Sequence, residues 1–317
     1  MKLVITDWQT MCHDSELSCA CFEEFAQVTA YPLTKPEETA QRIGNAELLL
    51  CNKTLITKEV IAACPNLRYI GVLATGYNNI DMEAAKAAGI TVCNAGTYST
   101  DAVAQYVFAQ ILYHYNSIHL YENDVRSGGW RKAAAFSYFP YPTYELRGKT
   151  LSVIGYGSIG RQVAKLGDAF GMKIVIATRT KPEGCPYELV SIEDAFSRAD
   201  VLTIHTPLTS ETKGMISAEN LARMKPSALL INTARGPIAE EAALAEALKS
   251  GRIAAAALDV LETEPMSADT PLKDIPSCII TPHIAWSPLE TRQRLLGIAY
   301  ENLRCYLGGT PQNVVSA

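Results

Sequence analysis

The stretch Leu151-Ser152-Val153-Ile154-Gly155-Tyr156-Gly157-Ser158-Ile159-Gly160 decides how this chain is read. An apolar run of strand type ends at Ile154, three glycines follow in G-x-G-x-x-G spacing, and a helical pattern continues from Ile159 to Phe170. Gly155 permits a tight turn, Gly157 lets backbone approach a pyrophosphate, and Gly160 allows the helix to pack close to the strand. The helix start, with Ser158 and Ile159 in its first turn, offers N–H groups and a positive dipole to phosphates. Strand, glycines and helix in register point to a dinucleotide site.

Working outward, Leu-rich or β-branched runs alternate with helical patterns along most of the chain, the signature of βαβ units and parallel sheets. One set comprises Leu3 to Thr6, Leu48 to Cys51, Tyr69 to Leu73 and Thr91 to Cys93, with a helix over Asp81 to Ala88. A second set comprises Leu151 to Ile154, Ile174 to Ala177, Val201 to Ile204, Leu229 to Asn232, Ala254 to Leu258 and Ile279 to Ile280. Thr100 to Arg126 reads as one long helix and Pro288 to Leu307 as another. The expected fold is α/β: two Rossmann-like, doubly wound parallel-sheet domains with the active site in the cleft between them. Residues 1–99 plus 288–317 form the substrate-binding domain in this reading, and residues 100–287 the dinucleotide-binding domain.

Composition narrows the partners. The 317 residues are 48% apolar and 19% charged, enough to build cores, and the net charge of −5 argues against a nucleic-acid or polybasic membrane binder. No run approaches the roughly 18 apolar residues of a membrane span, and Met1 to Thr6 is too short for a signal peptide. A cytoplasmic protein acting on a small molecule is expected. Nine cysteines at irregular spacing read as reduced thiols, with no metal site.

The end of the next strand bears on which dinucleotide binds. Where an NAD-specific site usually carries an acid, Ala177 runs into Thr178-Arg179-Thr180-Lys181. Arg179 and Lys181 attract a 2′-phosphate and Thr178 can hydrogen-bond it, which favours NADP; as plain surface charges they leave NAD open. His205, before Thr206-Pro207, reads as a wall of the adenosine pocket.

Three titratable or charged residues follow strands of the second set: Arg235, Glu264 and His283. Singly they read as a surface arginine, a loop glutamate and a strand-capping histidine. Together, on one rim, those single readings weaken: the three types offer an imidazole for proton transfer, a carboxylate that favours its charged form and a guanidinium fork for an anionic group. Lys53 places a cation after the strand Leu48 to Cys51, and Trp286 reads as a cleft wall. The Pro-rich aromatic run Phe136 to Tyr144 is no helix; a packed loop, a subunit contact and a substrate lid are its alternatives.

At this point the chain resembles the D-isomer-specific 2-hydroxyacid dehydrogenase family over nearly its whole length. The resemblance rests on Leu73 to Asp81, Gly155 to Gly160, Asn232-Thr233-Ala234-Arg235-Gly236, Ala257-Leu258-Asp259-Val260 with Glu264-Pro265, and Pro282-His283-Ile284-Ala285-Trp286. Tyr98 to Gln105 and Pro282 to Trp286 look most like its glycerate dehydrogenase, or hydroxypyruvate reductase, branch. The family implies Arg235, Glu264 and His283 as the catalytic set, and backbone of Ala74, Thr75 and Gly76 as a carboxylate cradle. It further implies Thr100, Thr233 and Ala234 as cofactor contacts and Asp259 as acceptor for the nicotinamide carboxamide. A homodimer follows from family practice.

The expected function is NAD(P)-dependent interconversion of a small 2-keto acid and its D-2-hydroxy acid, with hydroxypyruvate and glyoxylate as preferred substrates. Phosphite, formate or 3-phosphoglycerate are alternatives. The last is disfavoured because Leu73 and Ala74 bring no extra cation and no regulatory domain is expected after the last helix. A nucleotide-sensing co-repressor on the same fold is the reading from another class.

Overall fold

The computed structural model describes residues 1–12, 16–180 and 182–315. They divide into two compact units, Met1–Ser99 with Ser287–Ala317, and Thr100–Trp286.

The first unit is built on β1 (Lys2–Ile5), β2 (Gln27–Ala30), β3 (Leu48–Cys51), β4 (Tyr69–Val72) and β5 (Thr91–Cys93), in the order β2-β1-β3-β4-β5. Every pairing is parallel, with Leu3 beside Leu48, Leu48 beside Tyr69 and Tyr69 beside Thr91. β3 and β4 are buried at each residue, as strands covered by helices on both faces must be. β2 escapes the sequence reading because it is a largely exposed edge and lacks the apolar run that marks the inner strands. The helix Leu289–Leu307 closes the unit: the Tyr306 ring lies 4.7 Å from that of Tyr69, and Asn302 Nδ2 donates to the Asn94 carbonyl at 2.8 Å.

The second unit carries seven strands: β6 (Thr150–Ile154), β7 (Lys173–Ala177), β8 (Glu188–Leu189), β9 (Val201–Ile204), β10 (Leu229–Asn232), β11 (Ala255–Leu258) and β12 (Cys278–Ile280). Their order is β12-β11-β10-β9-β6-β7-β8, again wholly parallel. The expectation of two parallel α/β units holds. Alternation along each strand feeds two cores: Leu151, Val153, Leu229 and Ile231 pack on one face, Ile154, Leu202, Ile204 and Leu230 on the other. Because all seven strands run the same way, their C-terminal ends share one rim. Neighbours β9 and β7 flank β6, so the order reverses there, which is where ligands sit in open α/β sheets.

The long helix expected over Thr100 to Arg126 is instead two, Thr100–Asn116 and Ile118–Arg126. Ser117 between them is left-handed (φ 49°), and its Oγ donates to the Pro142 carbonyl at 2.9 Å. Asn116 and Ser117 are weak helix formers, and a serine hydroxyl bonded outside the helix competes with helix continuation. The first helix buries Val107, Phe108 and Ile111 in the core, whereas the second buries no residue, so packing no longer holds the two in line. The aromatic run is irregular and hydrogen-bonded to these helices: Tyr144 N donates to the Tyr115 carbonyl and Tyr121 Oη to the Tyr141 carbonyl. Phe136 and Phe139 nonetheless stay 91% and 84% exposed. No helix of the described residues is long and apolar enough to cross a membrane.

Candidate active site

The glycine turn follows β6 directly. Gly155 has φ 93°, and a Cβ there would fall 2.4 Å from the His205 carbonyl oxygen, so both backbone geometry and close approach demand glycine. Gly155 N donates to the Ala177 carbonyl and His205 N to the Ile154 carbonyl, which laces together the exits of β6, β7 and β9. At Gly160 a Cβ would sit 2.1 Å from the Gly155 oxygen, so the helix Ser158–Ala169 rests directly on the turn. Gly157, by contrast, faces open space, and no side chain caps the helix behind it. An uncapped helix start behind an open glycine fits a pyrophosphate.

Most of the other residues read from the sequence as nucleotide contacts follow neighbouring strands. Thr178 and Arg179 follow β7, and Arg179 is exposed, forming an ion pair with Glu211 at 3.6 Å. Lys181 falls outside the described residues. His205 follows β9, half-buried as a residue, with Nε2 2.9 Å from Thr203 Oγ1; desolvation of the ring pushes its imidazole down to about 3, so the ring is neutral at physiological pH and suits a wall. Thr206 is half-buried and Pro207 exposed beyond it. Thr100 begins its helix.

Across the sheet, β10, β11 and β12 deliver the remaining candidates. Arg235 lies three residues past β10. Buried Asn232, which the sequence reading missed as a site residue, shapes its loop: Oδ1 accepts from Ala234 N at 3.0 Å and Nδ2 donates to the Arg235 carbonyl at 2.9 Å. Thr233 and Ala234 are half-buried in that turn. Arg235 Nη1 donates to the Ala234 carbonyl at 2.7 Å. Glu264, beyond β11, accepts from Leu261 N through Oε1 at 3.0 Å and meets His283 Nδ1 through Oε2 at 2.7 Å. A carboxylate can only accept, so Nδ1 carries the hydrogen and Nε2 is the ring atom left for proton exchange with a substrate. The Arg235 and Glu264 loops touch at Gly236, where a Cβ would lie 1.8 Å from the Leu261 carbonyl oxygen.

His283 is itself left-handed, with φ 57°. Such a backbone costs of order 1–2 kcal/mol in a non-glycine residue and needs outside support. Asp259 supplies it: Oδ1 accepts from Ile284 N and Thr281 Oγ1, and Oδ2 from Ala285 N, each at 2.8 Å. Burial raises the Asp259 carboxyl pKa above the usual range, against the pull of these donors. Trp286 follows, half-buried.

In the first unit the strand ends also converge. Asp7, 3% exposed after β1, accepts from the backbone N–H of Asn52, Lys53 and Thr54 and from Thr54 Oγ1 at 2.6–3.1 Å. It thereby fixes the turn that presents exposed Lys53. Ala74, Thr75 and Gly76 bend away from β4; Ala95 N donates to the Ala74 carbonyl and Asn94 Nδ2 to that of Thr75, while Asn79 Nδ2 reaches the Thr54 carbonyl. Sequence reasoning missed Asp7 and Asn94, although an acid right after an apolar strand was a usable signal.

Comparison with known proteins agrees with this geometry. Residues 108–285 match the family model described as D-isomer specific 2-hydroxyacid dehydrogenase, NAD binding domain. A hydroxypyruvate reductase from Blautia hydrogenotrophica is 40% identical with complete coverage of both chains, and a glycerate dehydrogenase from Methylorubrum extorquens is 42% identical over 89% of each. The solved structure of an acyclic imino acid reductase in complex with NADPH and D-Arg superposes with a TM-score of 0.88 at 30% identity, covering 99% of this chain and 100% of that one. The chain belongs to the D-isomer-specific 2-hydroxyacid dehydrogenase family. It is an oxidoreductase that uses a nicotinamide cofactor to interconvert 2-keto acids and D-2-hydroxy acids.

Proposed function

We propose that the chain reduces hydroxypyruvate and glyoxylate, with NADPH preferred over NADH, and that Arg235, Glu264 and His283 perform the chemistry. The observation that carries this reading is the 2.7 Å pairing of His283 Nδ1 with Glu264 Oε2, on the rim that also bears Arg235 and the glycine turn.

When bound, the reduced nicotinamide supplies a hydride to the carbonyl carbon. His283 keeps its Nδ1 hydrogen on Glu264 and delivers the Nε2 proton to the substrate oxygen; in the reverse direction the neutral ring takes it back. Glu264, ionised, stabilises the imidazolium. Arg235 presents a planar fork to the substrate carboxylate and polarises the carbonyl. Substrate roles for Ala74, Thr75 and Gly76 rest on the family resemblance, as do cofactor roles for Thr100, Thr233, Ala234 and Asp259; those of Lys53, Trp286 and Lys181 rest on residue type and position after a strand. Residues 1–99 with 287–317 serve the substrate in this reading, and residues 100–286 the dinucleotide.

The choice of hydroxypyruvate is supported by the relative named a hydroxypyruvate reductase, and that of glyoxylate by a relative named a glyoxylate reductase, 39% identical over 83% of this chain. The NADPH preference is supported by Arg179 after β7, by the lack of a carboxylate there, and by the NADPH-bound neighbour. Exposed Phe136, Phe139 and Trp130 suit a face on which a second copy packs. Buried thiols such as Cys93, pushed up to about 11, suit a reducing cytoplasm.

Steady-state turnover of hydroxypyruvate with each cofactor tests the reading. NADPH should give the higher kcat/KM, and Arg179→Ala should lower that value about tenfold while leaving the NADH value within about twofold. Preference for NADH, or equal losses with both cofactors, would refute the NADPH assignment.

A further inference from the structure

A chain of hydrogen bonds joins the helix Thr100–Asn116 to the turn that carries His283. Gln110 Nε2 donates to Tyr106 Oη at 2.9 Å, Tyr106 Oη to Thr281 Oγ1 at 2.5 Å, and Thr281 Oγ1 to Asp259 Oδ1 at 2.8 Å. The direction is forced at one end. Asp259 accepts, so the single Thr281 hydroxyl proton goes to it, and the bond from Tyr106 must be donated by the phenol. Burial raises the Tyr106 phenol, which therefore remains protonated and able to donate.

Asp259 is the hub of this chain. The carboxylate that receives the Thr281 hydroxyl also receives Ile284 N and Ala285 N, the two amides that follow His283. His283 N in turn donates to the Thr281 carbonyl at 3.0 Å, so Thr281 brackets the turn through both its hydroxyl and its backbone. Thr281 N continues the sheet by donating to the Leu258 carbonyl at 2.9 Å. The left-handed His283 thus stands between a sheet-anchored residue and two amides held by one buried carboxylate.

We infer that Thr281 and Tyr106 are positioning residues for the acid–base histidine: together they fix the Asp259 carboxylate, which holds His283 in its left-handed turn with Nδ1 on Glu264. Neither touches the reacting atoms. This inference rests on the role given to His283 above, and it goes beyond it by making helix residue Tyr106 part of the device.

The test uses the full-length protein. Thr281→Val, close in shape but without the hydroxyl, should lower kcat for hydroxypyruvate reduction at least about tenfold with KM for cofactor within about threefold, and Thr281→Ser should restore kcat to within about threefold. Tyr106→Phe leaves the Thr281–Asp259 bond in place and should lower kcat by about threefold; it carries the test if the valine variant fails to fold. A second readout does not depend on turnover. Nitrogen-15 NMR of the histidine rings should show the Nδ1–H of His283 protected by Glu264 in wild type and in Thr281→Ser, and lost to exchange in Thr281→Val. Retention of both kcat and the Nδ1–H signal in Thr281→Val would overturn the inference, as would a rise in KM alone. If wild type turns over no 2-keto acid, the function proposed for the site fails, and the NMR arm still decides whether Thr281 positions His283.

Discussion

Replacing Gly236 with alanine drives the Arg235 loop against the Glu264 loop. A Cβ at residue 236 would lie 1.8 Å from the Leu261 carbonyl oxygen, 1.9 Å from its carbon and 2.5 Å from Glu262 N. All three are backbone atoms, so no rotamer relieves the clash. Ordinary contact begins at 3.4 Å, and the two loops must therefore part by about 1.6 Å. A misplacement of about 1 Å between groups that act together costs on the order of 100-fold in rate. We expect kcat/KM of Gly236→Ala to fall about 100-fold, equivalent to ~2.7 kcal/mol of transition-state stabilisation. Overpacking should also lower stability by about 1–3 kcal/mol. The assay is NADPH oxidation by hydroxypyruvate, with urea unfolding alongside. Gly297→Ala, in the helix Leu289–Leu307 with nothing beyond its own helix's backbone within 4 Å of the added methyl, is the control and should gain up to about 1 kcal/mol with activity unchanged. If kcat/KM of Gly236→Ala stays within threefold of wild type, the spacing of these loops does not set Arg235 against the Glu264–His283 pair.

Three further outcomes are expected. The His205 ring titrates at about 3 in the folded chain and near about 6.5 when unfolded. Between those values only the unfolded chain holds the proton, so stability falls with pH by up to about 1.4 kcal/mol per unit below about pH 6.5. His205→Gln removes this term, and its stability relative to wild type, from urea unfolding, should improve by about 2 kcal/mol between about pH 7.5 and pH 5; a constant difference would contradict burial of the ring. Asp7→Ala strips one acceptor from four donors at residues 52–54 and should cost roughly 2–4 kcal/mol in the same measurement, whereas a loss below about 0.5 kcal/mol would mean the carboxylate is no clamp. Glu264→Gln keeps an acceptor for Leu261 N but removes the charge opposite His283, and should reduce kcat for reduction about 10- to 100-fold. An unchanged kcat would remove Glu264 from the proton path.

Much of this protein was legible from local pattern. The inner strands Leu48–Cys51, Val201–Ile204 and Leu229–Asn232 start and stop where the apolar runs do, because a strand covered on both faces tolerates little else. The three glycines could be assigned separate duties because each duty has its own steric demand, and the contacts of Gly155 and Gly160 meet those demands. Edge strand β2 and the break at Ser117 were not legible. The first carries no apolar run, and the second depends on a hydroxyl meeting a carbonyl 25 residues away.

The site divides in the same way. Residue order alone determined that Arg235, Glu264 and His283 follow successive strands of one parallel sheet, since in such a sheet every strand end faces one rim. Folding in three dimensions is what brings Glu264 to His283 across 19 residues, seats the Arg235 loop on the Glu264 loop at Gly236, and links Tyr106 through Thr281 to Asp259, which accepts from the two amides after His283. Periodicity is a property of neighbours in sequence, and it survives in the sequence. A hydrogen bond between a helix residue at 106 and a strand-end residue at 281 exists only once two layers have packed, and no spacing along the chain encodes it.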